Sequence, residues 1–348
     1  MGPHLSTMIF EIPALLFLIF VTSYGLTKLL YSAPDILSLF DHPNERSLHS
    51  TPTPRTGGIG ILGGLFLGGL IYALIHSLYD WYWILGLTGL MSILSFCDDR
   101  QHLPPVLRLT FQFLLAILFI TLTQNTLNSL GFLHFGWLRY PLTLLFLVWM
   151  TNLYNFMDGM DGFAGGMTVF GCGFFSLMAW SHGDTSTALL SLFTMTASAG
   201  FLPHNFPPAK IFMGDVGSTS LGFLIGCMIV TETSKNTQSN LWEPLLIFSP
   251  FLVDATFTLL KRIAKRKKIW LAHREHLYQR LVLLGWGHKK TVFLEYGLML
   301  ACGLSALFYL KLETSQRLIL LLLWATVYGL IPPIVLILER KNRRRNSS

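Results

Sequence analysis

Long apolar runs separated by short polar clusters follow one another along most of the sequence. Runs such as residues 142–149 and 318–324 lack the alternation of apolar and polar positions that strands of a membrane β-barrel require. A bilayer core about 30 Å thick needs roughly 20 apolar residues per helix. The pattern therefore predicts an all-α, polytopic membrane bundle of about eleven spans, at residues 8–30, 57–76, 81–97, 107–125, 139–154, 163–180, 187–202, 217–233, 242–262, 291–310 and 316–338.

The composition supports this fold class. Hydrophobic residues make up 52% of the 348-residue chain and charged residues only 12%, about half the charged share of a typical globular protein. A soluble protein is therefore excluded, and the lipid bilayer is the expected surrounding of the chain.

The basic residues predict the orientation of the bundle. Most of the 25 Lys and Arg residues lie at the connections that follow the first, third, seventh and ninth spans, or after the last span. By the positive-inside rule the N-terminus is outside and the C-terminus is cytoplasmic. The basic run at residues 261–268 directly follows an apolar span, so we interpret it as a membrane anchor and expect no nucleic-acid partner.

Five carboxylates fall on the same predicted cytoplasmic face as these basic connections. Asp98 and Asp99 follow the third span, Asp158 and Asp161 follow the fifth, and Asp215 precedes the eighth. Because Lys and Arg alone determined the sidedness, this convergence is an independent indication of a site. Carboxylates grouped at helix ends suit a hard cation such as Mg²⁺.

The acidic residues occur in patterns with different chemical uses. Adjacent side chains on a helix point about 100° apart, so Asp98 and Asp99 are expected to have different roles, although a helix-end cap is an equal alternative. Asn155, Asp158 and Asp161 recur every third residue, which places short polar side chains along one side of a tight turn.

The stretch NFPPAKIFMGDVGS, residues 205–218, combines four features of a nucleotide-phosphate site. Asn205 offers an amide for the edge of a base, Phe212 offers a ring for stacking, and Asp215 offers a carboxylate. The Gly-Ser step that follows begins a helix whose N-terminus attracts phosphate.

The stretch HREHLYQR, residues 273–280, predicts an anion site. His273 and His276 are three residues apart and are expected on one helix face, with Arg274 between them. Zinc is the less favoured alternative because no third ligand lies nearby in the sequence. His49 adds a further basic contact on the same predicted face.

Three other residues are assigned from their positions. Glu275 and Tyr278 are expected to be available for hydroxyl groups of the ligand. Asp254 lies inside the ninth predicted span, where an acidic residue is either functional or the partner of a neighbouring helix.

These blocks, in this order between residues 49 and 280, resemble the polyprenyl-phosphate N-acetylhexosamine-1-phosphate transferases. That membrane family contains phospho-MurNAc-pentapeptide translocase and undecaprenyl-phosphate GlcNAc-1-phosphate transferase. The strongest likeness is in NFMDGMDGFAGG, NFPPAKIFMGDVGS and the histidine-rich loop. The resemblance implies an Mg²⁺-dependent reaction, with Mn²⁺ as an alternative, in which undecaprenyl phosphate attacks a UDP-N-acetylhexosamine and releases UMP.

The resemblance also implies residue roles. Asp98 is either a general base or a partner of the lipid phosphate, supported by Asp99 and Asp158. Phosphoryl transfer depends on positioning and charge neutralisation, and a lipid phosphate is already largely ionised, so positioning alone would suffice. The expected site comprises catalytic Asp98, Asp99 and Asp158, metal-binding Asp215, and substrate-binding His49, Asn155, Asp161, Asn205, Phe212, His273, Arg274 and His276.

The expected setting is the bacterial inner membrane, with residues 1–338 as one catalytic domain and 339–348 as a basic tail. The His-Arg-x-His form is more similar to the branch that initiates O-antigen chains with 6-deoxy-N-acetylhexosamines. A cation-coupled transporter is the alternative function, but transporters place such carboxylates near the bilayer midplane, often in repeated halves. A monomer and a homodimer are both compatible with the sequence.

Overall fold

The computed structural model describes residues 3–37, 39–43, 48, 51–101, 103–130, 133–235, 240–268 and 273–346. The predicted substrate residue His49 lies outside these ranges. The described chain is an all-α bundle, as predicted, apart from two short antiparallel strand pairs. In these pairs, β1 (Phe40–Asp41) joins β2 (Thr53–Pro54), and β3 (Ser129–Leu130) joins β4 (Leu133–His134).

Thirteen α-helices form the described part of the bundle. They are α1 Pro3–Ser32, α2 Gly57–His76, α3 Tyr79–Gln101, α4 Pro105–Thr123, α5 Arg139–Met157, α6 Phe163–Ser181, α7 Thr185–Asn205, α8 Gly214–Lys235, α9 Trp242–Ile247, α10 Ser249–Ala264, α11 Leu277–Leu281, α12 Gly287–Tyr309 and α13 Thr314–Asn346.

Each predicted span overlaps at least one of these helices, and α2 has the predicted bounds. Nine helical segments in the described ranges are long and apolar enough to cross a membrane. The helix α5 and the pair α9–α10 are not among the nine. The chain is therefore a multi-pass membrane protein, while the count of eleven and the orientation stay predictions.

The predicted single span at residues 242–262 is wrong, because the helix breaks at Phe248. The helix α9 ends at Ile247 and α10 begins at Ser249. Pro250 stands in the first turn of α10, where its missing N–H cannot continue the hydrogen bonds of the preceding helix.

The helix α8 lies at the centre of the bundle and is buried along most of its length. Gly222 permits its contact with α5, because a Cβ atom there would lie 2.5 Å from the carbonyl oxygen of Met150. The first turn of α8 carries Asp215. Close packing of α8 therefore holds this carboxylate near the end of α5.

Candidate active site

The C-terminal end of α3 lies with the N-terminal starts of α4 and α8 at one end of the bundle. The sequence predicts this end to be cytoplasmic. A cavity of about 140 Å³ opens there. Both charge types face it, so an anion and a cation can be accommodated together. The lining residues are Arg55, Asp98, Asp99, Leu103, Arg108 and Asp215.

Asp98 is fixed by the turn between α3 and α4. Its Oδ1 accepts a hydrogen bond from the backbone N–H of Leu103 at 2.8 Å. Its Oδ2 accepts one from Arg108 at 2.9 Å. The guanidinium of Arg108 remains partly exposed to the cavity, so it can also meet an anionic ligand.

Asp99 points in a different direction and pairs with Arg55. Nη1 of Arg55 lies 3.4 Å from Oδ1 of Asp99, and Nη2 donates to the backbone carbonyl of Asp99 at 2.7 Å. Both carboxylate oxygens are buried, and neither accepts a hydrogen bond at bonding geometry from the described residues. The two adjacent acids therefore have different partners, as the helix geometry predicted.

Two loops lock together by their backbones beneath the cavity. The N–H of Gly58 donates to the carbonyl of Met213 at 2.8 Å, and the N–H of Phe212 donates to the carbonyl of Pro54 at 2.8 Å. Gly214 has a φ of +73°, and a Cβ atom on it would lie 2.1 Å from the carbonyl oxygen of Arg55. Glycine is required at this position by both backbone conformation and space.

Asn155 joins α5 to the first turn of α8. Its side-chain amide donates to Oδ1 of Asp215 at 2.8 Å and to the hydroxyl of Ser218 at 3.1 Å. Asp158 follows on the same turn, where burial and the charge of Asp215 raise its pKa well above the usual range. An unneutralised group of acids is unfavourable here, so the site favours a positive partner.

The carboxylates of Asp99 and Asp215 are suitable ligands for a magnesium ion. Among the described residues, no three His, Cys, Asp or Glu side chains form a preassembled metal cluster. Magnesium commonly takes one or two protein carboxylates and completes its coordination with water and substrate phosphates. Asp215 and the unbonded, buried oxygens of Asp99 match that arrangement.

Asp161 does not join the acidic cluster, and its side chain contacts the neighbouring loop instead. Its Oδ2 accepts from the backbone N–H of Ala209 at 3.0 Å, and its Oδ1 lies 3.0 Å from Nδ1 of His288. His288 stands in the first turn of α12 and was not among the predicted site residues. Asn155, Asp158 and Asp161 thus keep their three-residue spacing in the sequence, but the side chain of Asp161 has different partners from the other two.

The oxygen and the nitrogen of the Asn205 side-chain amide both form hydrogen bonds with backbone groups. Its Oδ1 accepts from the N–H of Gly162 at 2.9 Å, and its Nδ2 donates to the carbonyl of Ile211 at 2.9 Å. Phe212 is half-buried nearby in the chain. The geometry makes Asn205 a brace of this loop, and the predicted uridine contacts of both residues stay predictions.

The histidine segment differs from the expected helix face. His276 has extended backbone angles and forms the N-cap of α11, so His273 and His276 both precede the helix. Their rings nevertheless stack with centroids 5.0 Å apart. Burial, followed by the adjacent imidazole of His276, lowers the pKa of His273 to about 4. His273 is therefore neutral at physiological pH and can donate one N–H.

Tyr278 and Glu275, which were expected to contact hydroxyl groups of the ligand, already have other partners in the structure. Tyr278 is fully buried, and its hydroxyl donates to the carbonyl of Phe156 at 3.4 Å. Glu275 forms ion pairs with Arg262 and Lys267. Arg274, in contrast, is exposed. The Tyr278 contact brings the histidine segment against the turn that carries Asn155 and Asp158.

Of the predicted site residues, the structure places Asp98, Asp99 and Asp215 at one cavity and Asn155 in contact with Asp215. The basic residues Arg55 and Arg108 were missed as site residues because their charge was attributed to membrane orientation. Their position beside the other motifs was the available signal: Arg55 precedes the Gly-Gly pair and Arg108 follows the double proline.

Comparisons with known proteins are consistent with this geometry. A family model described as glycosyl transferase family 4 matches residues 81–233. The chain is 32% identical to a probable undecaprenyl-phosphate N-acetylglucosaminyl 1-phosphate transferase of Bacillus subtilis, over 77% of this chain and 76% of the relative. It is 28% identical to a decaprenyl-phosphate N-acetylglucosaminephosphotransferase of Mycobacterium tuberculosis, over 84% and 81%. It is also 28% identical to the undecaprenyl-phosphate alpha-N-acetylglucosaminyl 1-phosphate transferase of Escherichia coli, over 84% and 83%.

Proposed function

Because the chain belongs to the polyprenyl-phosphate N-acetylhexosamine-1-phosphate transferase family, we propose that it transfers N-acetylhexosamine-1-phosphate from a UDP-sugar to undecaprenyl phosphate. The products are a lipid-diphosphate-sugar and UMP. The observation that carries the proposal is the cavity in which Asp98, Asp99 and Asp215 face Arg55 and Arg108. Such a mixture of charges suits phosphate groups together with a divalent cation.

In the proposed reaction, an oxygen of the lipid phosphate attacks the sugar-linked phosphorus of the UDP-sugar, and the bond to UMP breaks. Arg108 holds the lipid phosphate, while Asp98 orients the Arg108 guanidinium through their 2.9 Å hydrogen bond. No general base is needed when the attacking phosphate is already ionised. The role of this chain is then to place two anions in line.

Asp215, with Asp99 beside it, would hold Mg²⁺ or Mn²⁺, and the ion would supply neutralisation of diphosphate charge when bound. The amide of Asn155 orients Asp215 for this task. Arg55 balances Asp99 at 3.4 Å, so the acidic cluster and the anionic substrates can coexist. His273, Arg274 and His276 contact the diphosphate, and Asp161, Asn205 and Phe212 form the uridine side.

The proposed setting is the bacterial inner membrane, with the site facing the cytoplasm, where UDP-sugars are made. The proposed product initiates a cell-envelope glycan such as O-antigen. The histidine form favours a 6-deoxy-N-acetylhexosamine, whereas the names of the three relatives specify N-acetylglucosamine. The sugar must therefore be decided by a direct comparison of substrates.

The test is UMP release by the purified protein with undecaprenyl phosphate and a panel of UDP-sugars that includes UDP-GlcNAc and a 6-deoxy analogue. We expect turnover with at least one sugar, its loss in EDTA, and its recovery with Mg²⁺. The variant Asp215→Asn should lose at least about a hundredfold in kcat/KM. Turnover unchanged by both EDTA and this substitution would contradict the site, and no UMP from any sugar would contradict the function.

A further inference from the structure

A buried carboxylate on α10 fixes the start of the histidine segment. Oδ1 of Asp254, on α10, accepts from the backbone N–H of Leu277 at 3.0 Å, and Oδ2 accepts from that of Tyr278 at 3.2 Å. Thr258 also donates its hydroxyl to Oδ1 at 3.0 Å. These are the first two N–H groups of α11, which have no partner within their own helix. Asp254 therefore determines where α11 begins.

The same carboxylate also faces the ring of His276. Nδ1 of His276 lies 3.3 Å from Oδ1 of Asp254, and the ring is almost completely buried. A carboxylate accepts hydrogen bonds, so this contact places the ring proton on Nδ1. Nε2 is then the ring atom presented to a ligand. The backbone N–H of His276 also donates to Oε1 of Gln279 at 3.3 Å, which holds the backbone of this residue as well.

The segment that Asp254 anchors is joined to the acidic turn. The ring of Tyr278 packs against that of Phe163 with centroids 4.6 Å apart, and its hydroxyl bonds the carbonyl of Phe156. A Cβ atom on Gly159 would lie 2.4 Å from the Tyr278 hydroxyl, so the contact is tight. Movement of the start of α11 would consequently change the distance between His276 and Asp158.

We infer that Asp254 is a positioning residue for the UDP-sugar site, acting through His276 by fixing both its location and its ring proton. The inference rests on the proposed function, because His276 is assigned there to the diphosphate. Asp254 itself does not contact the substrate. If Asp254 had a purely structural role, its replacement would change kcat/KM equally with and without His276. The two roles can therefore be distinguished by measurement.

The decisive experiment is a double-mutant cycle with Asp254→Asn, His276→Ala and their combination. Asp254→Asn retains the size of the side chain but removes its charge. We expect it to lower kcat/KM for the UDP-sugar by about tenfold to a hundredfold, as loss of a residue that orients a ligand-binding histidine does. The KM for undecaprenyl phosphate should not change. In the His276→Ala protein, the same substitution should alter kcat/KM less than twofold.

Glu295→Gln provides the matched control. Glu295, on α12, is also an acidic residue within the described membrane helices, and its charge interacts with that of Asp254, but none of the described hydrogen bonds joins it to the histidine segment. Its substitution should leave kcat/KM within twofold. If Asp254→Asn has equal effects with and without His276, or changes kcat/KM less than twofold in the parent, the inference is overturned.

Two further measurements cover loss of folding and failure of the proposed activity. Thr258→Val removes one hydroxyl that bonds Asp254, and its smaller loss in kcat/KM should also disappear in the His276→Ala protein. Limited trypsin digestion needs no turnover: cleavage after the largely buried Arg280 should be several-fold faster in Asp254→Asn, while cleavage after exposed Arg274 should change little. An unchanged Arg280 cleavage rate would refute the anchor, even if no UDP-sugar were a substrate.

Discussion

The side-chain amide of Asn155 donates a hydrogen bond to Oδ1 of Asp215 across the junction of α5 and α8, at 2.8 Å. Asp215 also lines the cavity, so this contact fixes the orientation of one of the cavity carboxylates. The contact links two of the sequence blocks that appear separately in the chain. In this pair, Asp215 would contact the cation and Asn155 orients Asp215.

Asn155→Ala should therefore weaken the cation site without removing its carboxylate. We expect the Mg²⁺ concentration for half-maximal UMP release to rise about tenfold to a hundredfold, the usual effect of losing an orienting partner of a metal ligand. Asn152→Ala is the matched control, because Asn152 bonds Gln112 at 2.6 Å one turn away. Equal Mg²⁺ dependence in the parent and both variants would rule out this role for Asn155.

Arg108→Ala should selectively weaken use of the lipid substrate. Its guanidinium bonds Asp98 and reaches the cavity, so its removal deletes a charged donor to phosphate. We expect KM for undecaprenyl phosphate to rise about tenfold or more, with a smaller change in KM for the UDP-sugar. Arg100→Ala, at an exposed arginine over the ring of Phe96, should leave both constants unchanged. A larger effect on the UDP-sugar would reassign Arg108 to that substrate.

The helices were predictable because lipid leaves few alternatives to long apolar segments with internal backbone hydrogen bonds. Hydropathy does not detect a break that keeps its apolar character, and residues 247–249 are Ile-Phe-Ser within such a run. The three-residue spacing of His273 and His276 was compatible with a helix. Their true conformation depends on Asp254, a partner that only the packing of α10 against α11 brings near.

The site was predictable where side chains had unusual chemistry for their location. Acidic residues at helix ends stand out because they fall on the predicted face that carries most of the Lys and Arg residues. Arg55 and Arg108 do not stand out, since a membrane anchor and a phosphate ligand use the same side chain. His288 was missed for a similar reason: nothing in its local sequence indicates the 3.0 Å contact with Asp161.

The predicted orientation can be checked without any substrate. In a variant lacking the four native cysteines, a cysteine at Lys267 should react with an impermeant maleimide only from the cytoplasm. A cysteine at Gln316, in the first turn of α13, should react only from outside. Both positions are exposed. Reversed labelling would place the carboxylate site on the external face and exclude cytosolic UDP-sugars as its substrates.

The C-terminal end of α13 should support the histidine segment. Arg280 on α11 forms two 2.8 Å hydrogen bonds with the carboxylate of Glu339, and Val335 packs against Leu277 and Leu281. Glu339→Gln should raise KM for the UDP-sugar about threefold to tenfold, because a bidentate charged pair is lost. Arg340→Gln, at the adjacent exposed residue, should have no effect. Unchanged KM in Glu339→Gln would limit α13 to a membrane-anchoring role.

A buried ion-pair cluster lies at the opposite end of α8 from Asp215. Nδ1 of His182 lies 2.7 Å from Oε1 of Glu232, and Nε2 lies 3.3 Å from Oε2 of Glu243. Burial alone would lower the pKa of His182, but the hydrogen bond that its ring donates to Glu232 and the charge of Glu243 raise it overall. Folding therefore favours the charged imidazolium, which lies between the two buried carboxylates and offsets their charge.

The thermal stability of the detergent-solubilised protein should consequently fall as pH rises through the folded-state pKa of His182. The raised pKa means that the stabilisation is complete below the unfolded-state value and is lost at higher pH. We expect His182→Gln to lower Tm by several degrees at pH 6 and to reduce its slope between about pH 6 and pH 9. His134→Gln, at an exposed histidine, should retain the parent slope. Identical slopes in the parent and His182→Gln would show that His182 is not charged in the folded protein.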